Sequence, residues 1–173
     1  MENAQERLVR YLQDAHAAEV GVRKMLEGFV DDTNDQQIKM LFQEHIEMTR
    51  WQEDQLEQCL RKYDEEAGSG SKGFFNSLMA KVGEMLQGAH DQEDKDTQNL
   101  IKAFATENLE CGMYESLISY AEAVGDMDVV QVARNIQQQE KQTAERIWPM
   151  ISQYAKMPLA KVEGQQGGQA YAG

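Results

Sequence analysis

Apolar residues recur at steps of three and four along most of this chain, the spacing of one face of an α-helix. Between residues 8 and 29 they are Leu8, Leu12, Ala15, Val22, Leu26 and Phe29, which predicts a first helix from about Ala4 to Val30. The cluster Asp31-Asp32-Thr33-Asn34-Asp35 ends that helix and offers capping side chains to the next. A second helix runs to about Tyr63. Its stripe reads Ile38, Leu41, Phe42, His45, Thr49, Gln52, Leu56, Cys59 and Tyr63, apolar at both ends and polar in the middle. The linker Ala67-Gly68-Ser69-Gly70-Ser71 leads to a short amphipathic segment, Phe74 to Gly88, expected to pack on the helices or on a second subunit. A third long helix follows from about Glu93 to Val124, with Phe104, Glu107, Cys111, Tyr114 and Ile118 on a single face, and Gly125-Asp126 closes it. The fourth starts near Met127 and carries Val129, Val132, Ala133, Ile136, Glu140, Thr143, Ile147 and Ile151. Pro149 falls inside that pattern and is expected to kink or fray the last turns.

Four long helices with two short connections and one longer crossover predict an all-α fold. The topology with a single crossover is the ferritin-like four-helix bundle, here with an additional short helix in the crossover. The domain is expected over residues 1–160, with 161–173 as a disordered tail, since EGQQGGQAYAG has too little apolar content to bury. Composition agrees: only 2 Pro interrupt a chain rich in helix-forming residues. A net charge of −13, from 30 acidic and 17 basic residues, argues against nucleic acid or an anionic membrane as partner and favours cations. Cys59 and Cys111 have no paired spacing, and no leader or long apolar run is present, so a cytoplasmic protein with reduced thiols is expected.

Glu19 falls on the apolar stripe of the first helix, where an ionised carboxylate needs a partner. In an antiparallel bundle the helix midpoints share one level. Glu19, His45, Glu107 with Glu110, and Glu140 all lie near those midpoints, so each helix offers at least one oxygen or nitrogen donor. Converging carboxylates repel one another unless protons, hydrogen bonds or a cation compensate them. Carboxylates with an imidazole in a bundle core suit iron or manganese. A weak internal repeat points the same way. Laying the first helix pair over the second so that Ile38 meets Val129 and Leu41 meets Val132 also sets His16 and Glu19 over Glu107 and Glu110. Each half then holds a donor and a Glu one helical turn apart. The plainer reading of these residues is a hydrogen-bonded polar layer, with Glu19 bonded to His16, Thr49 or Tyr114. The acidic run around His90, with Asp91, Glu93, Asp94 and Asp96, reads as a solvated helix start. No phosphate loop or nucleophile elbow is present, so any catalysis would belong to the metal.

The motifs DAHAAE, FQEHIEMT, ATENLECGMYESL with AEAVG, and QQQEK resemble the ferritin-like YciE/YciF family of bacterial stress-associated proteins over roughly residues 7 to 155. That resemblance implies a bundle with an extra short helix, a homodimer, and a carboxylate site of di-iron type. It departs from the family pattern at Met48, which stands in place of a Glu, at Asn108 in place of a His, and at Gln138-Gln139 in place of Glu-Glu. Glu19, His45, Glu107, Glu110 and Glu140 remain. The expectation is therefore a metal-binding protein in which Glu107 or Glu110 bridges, Glu19 and Glu140 are terminal ligands and His45 caps one metal. Its alternatives are an eroded site in a structural or partner-binding stress protein, and a di-iron oxidase or peroxide-consuming enzyme.

Overall fold

The computed structural model describes residues 2–67, 80 and 91–159, and four helices carry its fold. They are α1 (Ala4–Asp32), α2 (Gln36–Arg61), α3 (Gln92–Val124) and α4 (Met127–Tyr154). The starts are capped as the sequence requires. Asn3 and Glu6 form a reciprocal capping box on α1, Asp35 accepts from the amides of Gln37 and Ile38, and Asp126 accepts from that of Val129. Gly125 ends α3 at φ +83°, a left-handed conformation that costs glycine nothing.

Two apolar clusters fix the helix directions. One joins Leu8 and Leu12 of α1 to Leu56 and Leu60 of α2, Leu117 and Ala121 of α3, and Val129 and Ala133 of α4. The other joins Leu26 and Phe29 to Ile38 and Phe42, Leu100 and Ala103, and Ile147 and Met150. The start of α1 thus meets the end of α2, the end of α3 and the start of α4. Helices α1 and α4 run one way, α2 and α3 the other, so α2 ends and α3 begins at opposite ends of the bundle. This is the ferritin-like arrangement. Helix α1 packs on α2 and α3, α4 packs on α3, and the seam between α2 and α4 is the thinnest of the four.

Three expectations need correction. Helix α4 does not fray at Pro149 but continues to Tyr154, because Ile147, Met150 and Tyr154 around the proline are all buried and hold the last turns on the core. The buried face of α3 consists of Leu100, Ala103, Glu107, Glu110, Tyr114, Leu117, Ile118 and Ala121, while Phe104 and Cys111 lie half-buried on its flank. Asp96, placed by sequence in a solvated run, is buried and accepts a hydrogen bond from Gln92, whose Nε2 also reaches the Asp32 carbonyl. His90, the Phe74 to Gly88 segment apart from Ala80, and residues 161–173 lie outside the described residues.

Candidate metal centre

Between the two apolar clusters lies a polar layer to which every helix contributes. Helix α1 brings Glu19, α2 brings His45, Thr49 and Gln52, α3 brings Glu107, Glu110 and Tyr114, and α4 brings Glu140 and Thr143, none more than 3 % exposed. All five residues singled out from the sequence are therefore buried at this level. They do not form one equidistant set. Donor atoms of His45, Glu107 and Glu140 lie within 4.8 Å of one another and make up the one such group among the described residues. Glu19 and Glu110 stand beside it, close enough for their charges to act on each other.

The hydrogen bonding of the layer is incomplete. Nε2 of His45 is 3.3 Å from Oε1 of Glu107, yet both ring nitrogens and both Glu107 oxygens lack a hydrogen-bond partner. Both Glu110 oxygens and Oε2 of Glu140 are also without one. Two carboxylates are tied from a neighbouring helix: the Tyr114 hydroxyl donates to Glu19, and Nε2 of Gln52 donates to Oε1 of Glu140 at 2.5 Å. Buried polar atoms are paired in the great majority of cases, so a cluster of orphaned acceptors at one point calls for a positive partner.

Electrostatics say the same. Burial pushes the Glu19, Glu107 and Glu110 carboxyls well above the usual range, and the Glu140 charge pushes each further. Glu140 is also raised by burial, against a downward pull first from the neighbouring Glu107 carboxyl and then from its Gln52 hydrogen bond. Burial, helped by the Arg146 charge, lowers His45 to about 4. His45 is therefore a neutral imidazole at physiological pH, the form that ligates metal. A cation among these groups would reverse the repulsion that holds the carboxyls protonated. One imidazole nitrogen and several carboxylate oxygens are a donor set suited to iron(II) or manganese(II), so the residues present fit such an ion.

The departures from the family pattern fall unevenly. Asn108 is exposed and donates to the carbonyl of Phe104 at 2.7 Å, Gln138 is also exposed, and Met48 is half-buried. Glu47 points to solvent and pairs with Arg50. The contribution that sequence reasoning missed is that of Gln52. It was visible as a polar residue on the α2 stripe, but its reach to Glu140 of a helix distant in sequence was not.

No helix among the described residues is long and apolar enough to cross a membrane. Three solved structures resemble this one over most of its length. The E. coli stress protein YciF is 18% identical, with a TM-score of 0.80, covering 91% of this chain and 99% of its own. YcfI from Rhodopseudomonas palustris is 23% identical, with a TM-score of 0.76, covering 85% and 94%. A protein from Xanthomonas campestris is 25% identical, with a TM-score of 0.71, covering 95% and 99%. Residues 3–159 match the family described as a domain of unknown function, DUF892. With that match spanning nearly the whole bundle, the chain belongs to the DUF892 family.

Proposed function

We propose that this protein is a ferritin-like stress protein with a reduced metal centre, in which one iron(II) or manganese(II) ion held by His45, Glu107 and Glu140 fastens α2, α3 and α4 together. The observation that carries the reading is the group of three buried side chains with donor atoms within 4.8 Å of one another, most of those atoms lacking hydrogen bonds. In this role the ion is structural and the protein acts through its surface as a scaffold or partner-binding homodimer. An ion supplies positive charge to the buried carboxylates and bonds across helices. The chain's own part is to hold His45 neutral, to keep water from the layer, and to give up the carboxyl protons as the ion enters.

A second reading is favoured by Glu110, whose two oxygens are unpartnered beside Glu19. Here Glu19 and Glu110 complete a dinuclear centre, the arrangement that oxidase or peroxide chemistry would require. The test is elemental analysis of full-length protein incubated with manganese(II) or iron(II) and then desalted. One ion per chain, lost in His45→Ala and in Glu107→Ala, is the expected result. Two ions, with one lost in Glu110→Ala, would favour the dinuclear reading. Metal content unchanged in both His45→Ala and Glu107→Ala would remove the assignment.

A further inference from the structure

Among the residues of the polar layer, Gln52 is neither ionisable nor a member of the ligand group, yet it hydrogen-bonds directly to one of that group, Glu140. Gln52 is fully buried. Its Nε2 donates twice to neighbouring residues of α4, to Oε1 of Glu140 at 2.5 Å and to Oε1 of Gln139 at 3.0 Å. Both bonds cross the α2–α4 seam, the thinnest of the four between the packed helices. The amide occupies one oxygen of Glu140. The other oxygen, Oε2, is buried and has no hydrogen-bond partner.

We propose that Gln52 is a positioning residue that makes Glu140 a one-oxygen ligand and limits the centre to a single ion. The inference rests on the metal-binding reading above and deepens it. Two consequences of amide chemistry carry it. An N–H donor fixes the carboxylate plane and engages Oε1, so that Oε2 is the oxygen left without a partner. The same N–H group presents the positive end of its dipole to the space beside Oε1, where a second cation would otherwise find a carboxylate oxygen. The one lone-pair donor at position 52 is the buried, unpartnered Oε1 of Gln52 itself, and a neutral amide oxygen gives a second cation no negative charge, which a carboxylate at this position would supply. Partners that orient a ligand in this way commonly affect metal affinity 10–100-fold.

The test is a manganese(II) titration of chelator-treated full-length protein, following free Mn(II) by its paramagnetic resonance signal, which yields affinity and stoichiometry together. Gln52→Leu is expected to weaken binding by about 10–100-fold while saturation stays at one ion per chain. Glu140→Gln removes the carboxylate on which Gln52 acts, so adding Gln52→Leu to that variant should change affinity by no more than about twofold, the scatter of independent sites. A role confined to helix packing would instead weaken both backgrounds equally, and that result overturns the proposal. So does a Gln52→Leu protein that binds as tightly as the unaltered chain. If the leucine variant does not fold, Gln52→Asn, which withdraws the amide by one methylene, replaces it with the same expectations. Gln52→Glu places a carboxylate against Oε1 and should raise saturation to about two ions; saturation fixed at one ion refutes the limiting role. Unaltered protein that binds no Mn(II) refutes the metal reading itself, an outcome separate from any that concerns Gln52 alone.

Discussion

Replacing Glu110 by Gln should stabilise the metal-free protein, and only at neutral to alkaline pH. Glu110 is 1 % exposed, neither of its oxygens has a hydrogen bond, and burial followed by the Glu19 and Glu140 charges raises its carboxyl well above the usual range. Between the ordinary value near 4.5 in the unfolded chain and the raised value in the fold, the folded protein holds a proton that the unfolded one has released. Stability of the metal-free protein is thus fullest below the unfolded value. It falls as pH rises through this window, by up to about 1.4 kcal/mol per pH unit for this one group. His45 works in the opposite sense between about 4 and 6.5, where only the unfolded chain takes up its proton. That contribution is common to both proteins and cancels in their difference.

Glutamine has the shape of the protonated acid and no charge. At pH 5 the two proteins should agree within about 0.5 kcal/mol. At pH 8 the cost of a buried unpaired carboxylate, several kcal/mol, exceeds that of an unbonded amide, about 1–3 kcal/mol, so the variant should lead by about 1–3 kcal/mol. For a chain of this length that is roughly 3–10 °C in Tm. Urea unfolding of chelator-treated protein, followed by far-ultraviolet circular dichroism at pH 5, 6, 7 and 8, reads the difference. A difference that is flat with pH, or a variant less stable at pH 8, would mean that Glu110 is compensated by some other charge, and the account of the layer would fail.

Three further outcomes are expected. Asp126→Ala removes the α4 cap and the acceptor of bonds from Lys62 and the Tyr63 hydroxyl, and should cost about 1–2 kcal/mol in urea unfolding; no loss would show the cap to be idle. Leu26→Ala, at a position with no exposure, should cost about 2–5 kcal/mol in the same assay, whereas Glu47→Ala should stay within about 0.5 kcal/mol despite its ion pair with Arg50. Thiol labelling followed by peptide mass spectrometry should find Cys111 modified before Cys59, since Cys59 is buried and its thiol is pushed up to about 11; the reverse order would contradict the packing.

The sequence makes α1, α2 and α4 legible because each has a single dominant buried stripe, and polar residues interrupting those stripes mark the polar layer. Helix α3 resists the same reading. It packs against both α1 and α4, and it carries Phe104, Leu109 and Met113 on its flanks as well as Leu100 and Leu117 in the core. A wide buried arc gives no unique period, which is why the face drawn through Phe104 and Cys111 is displaced from the true one. Pro149 shows a different gap: local propensity predicts fraying, but Met150 and Tyr154 beyond it find a core to enter. The separation of His45, Glu107 and Glu140 from Glu19 and Glu110 was likewise hidden. Helical spacing gives the level of a side chain and not which neighbour it meets across the bundle.

The placement of charge between two apolar clusters also determines how the helices can slide. Shifting any one of them by a turn, about 5.4 Å, would carry Glu19, His45, Glu107 or Glu140 into leucine and isoleucine and bring an apolar residue into the polar layer. Such a slip leaves backbone hydrogen bonds intact and changes total apolar burial little, so the apolar ends alone discriminate weakly against it. The desolvated carboxylates discriminate strongly, because each would lose its only companions at once. The polar layer is therefore also the index mark that keeps four otherwise interchangeable apolar faces in a single alignment.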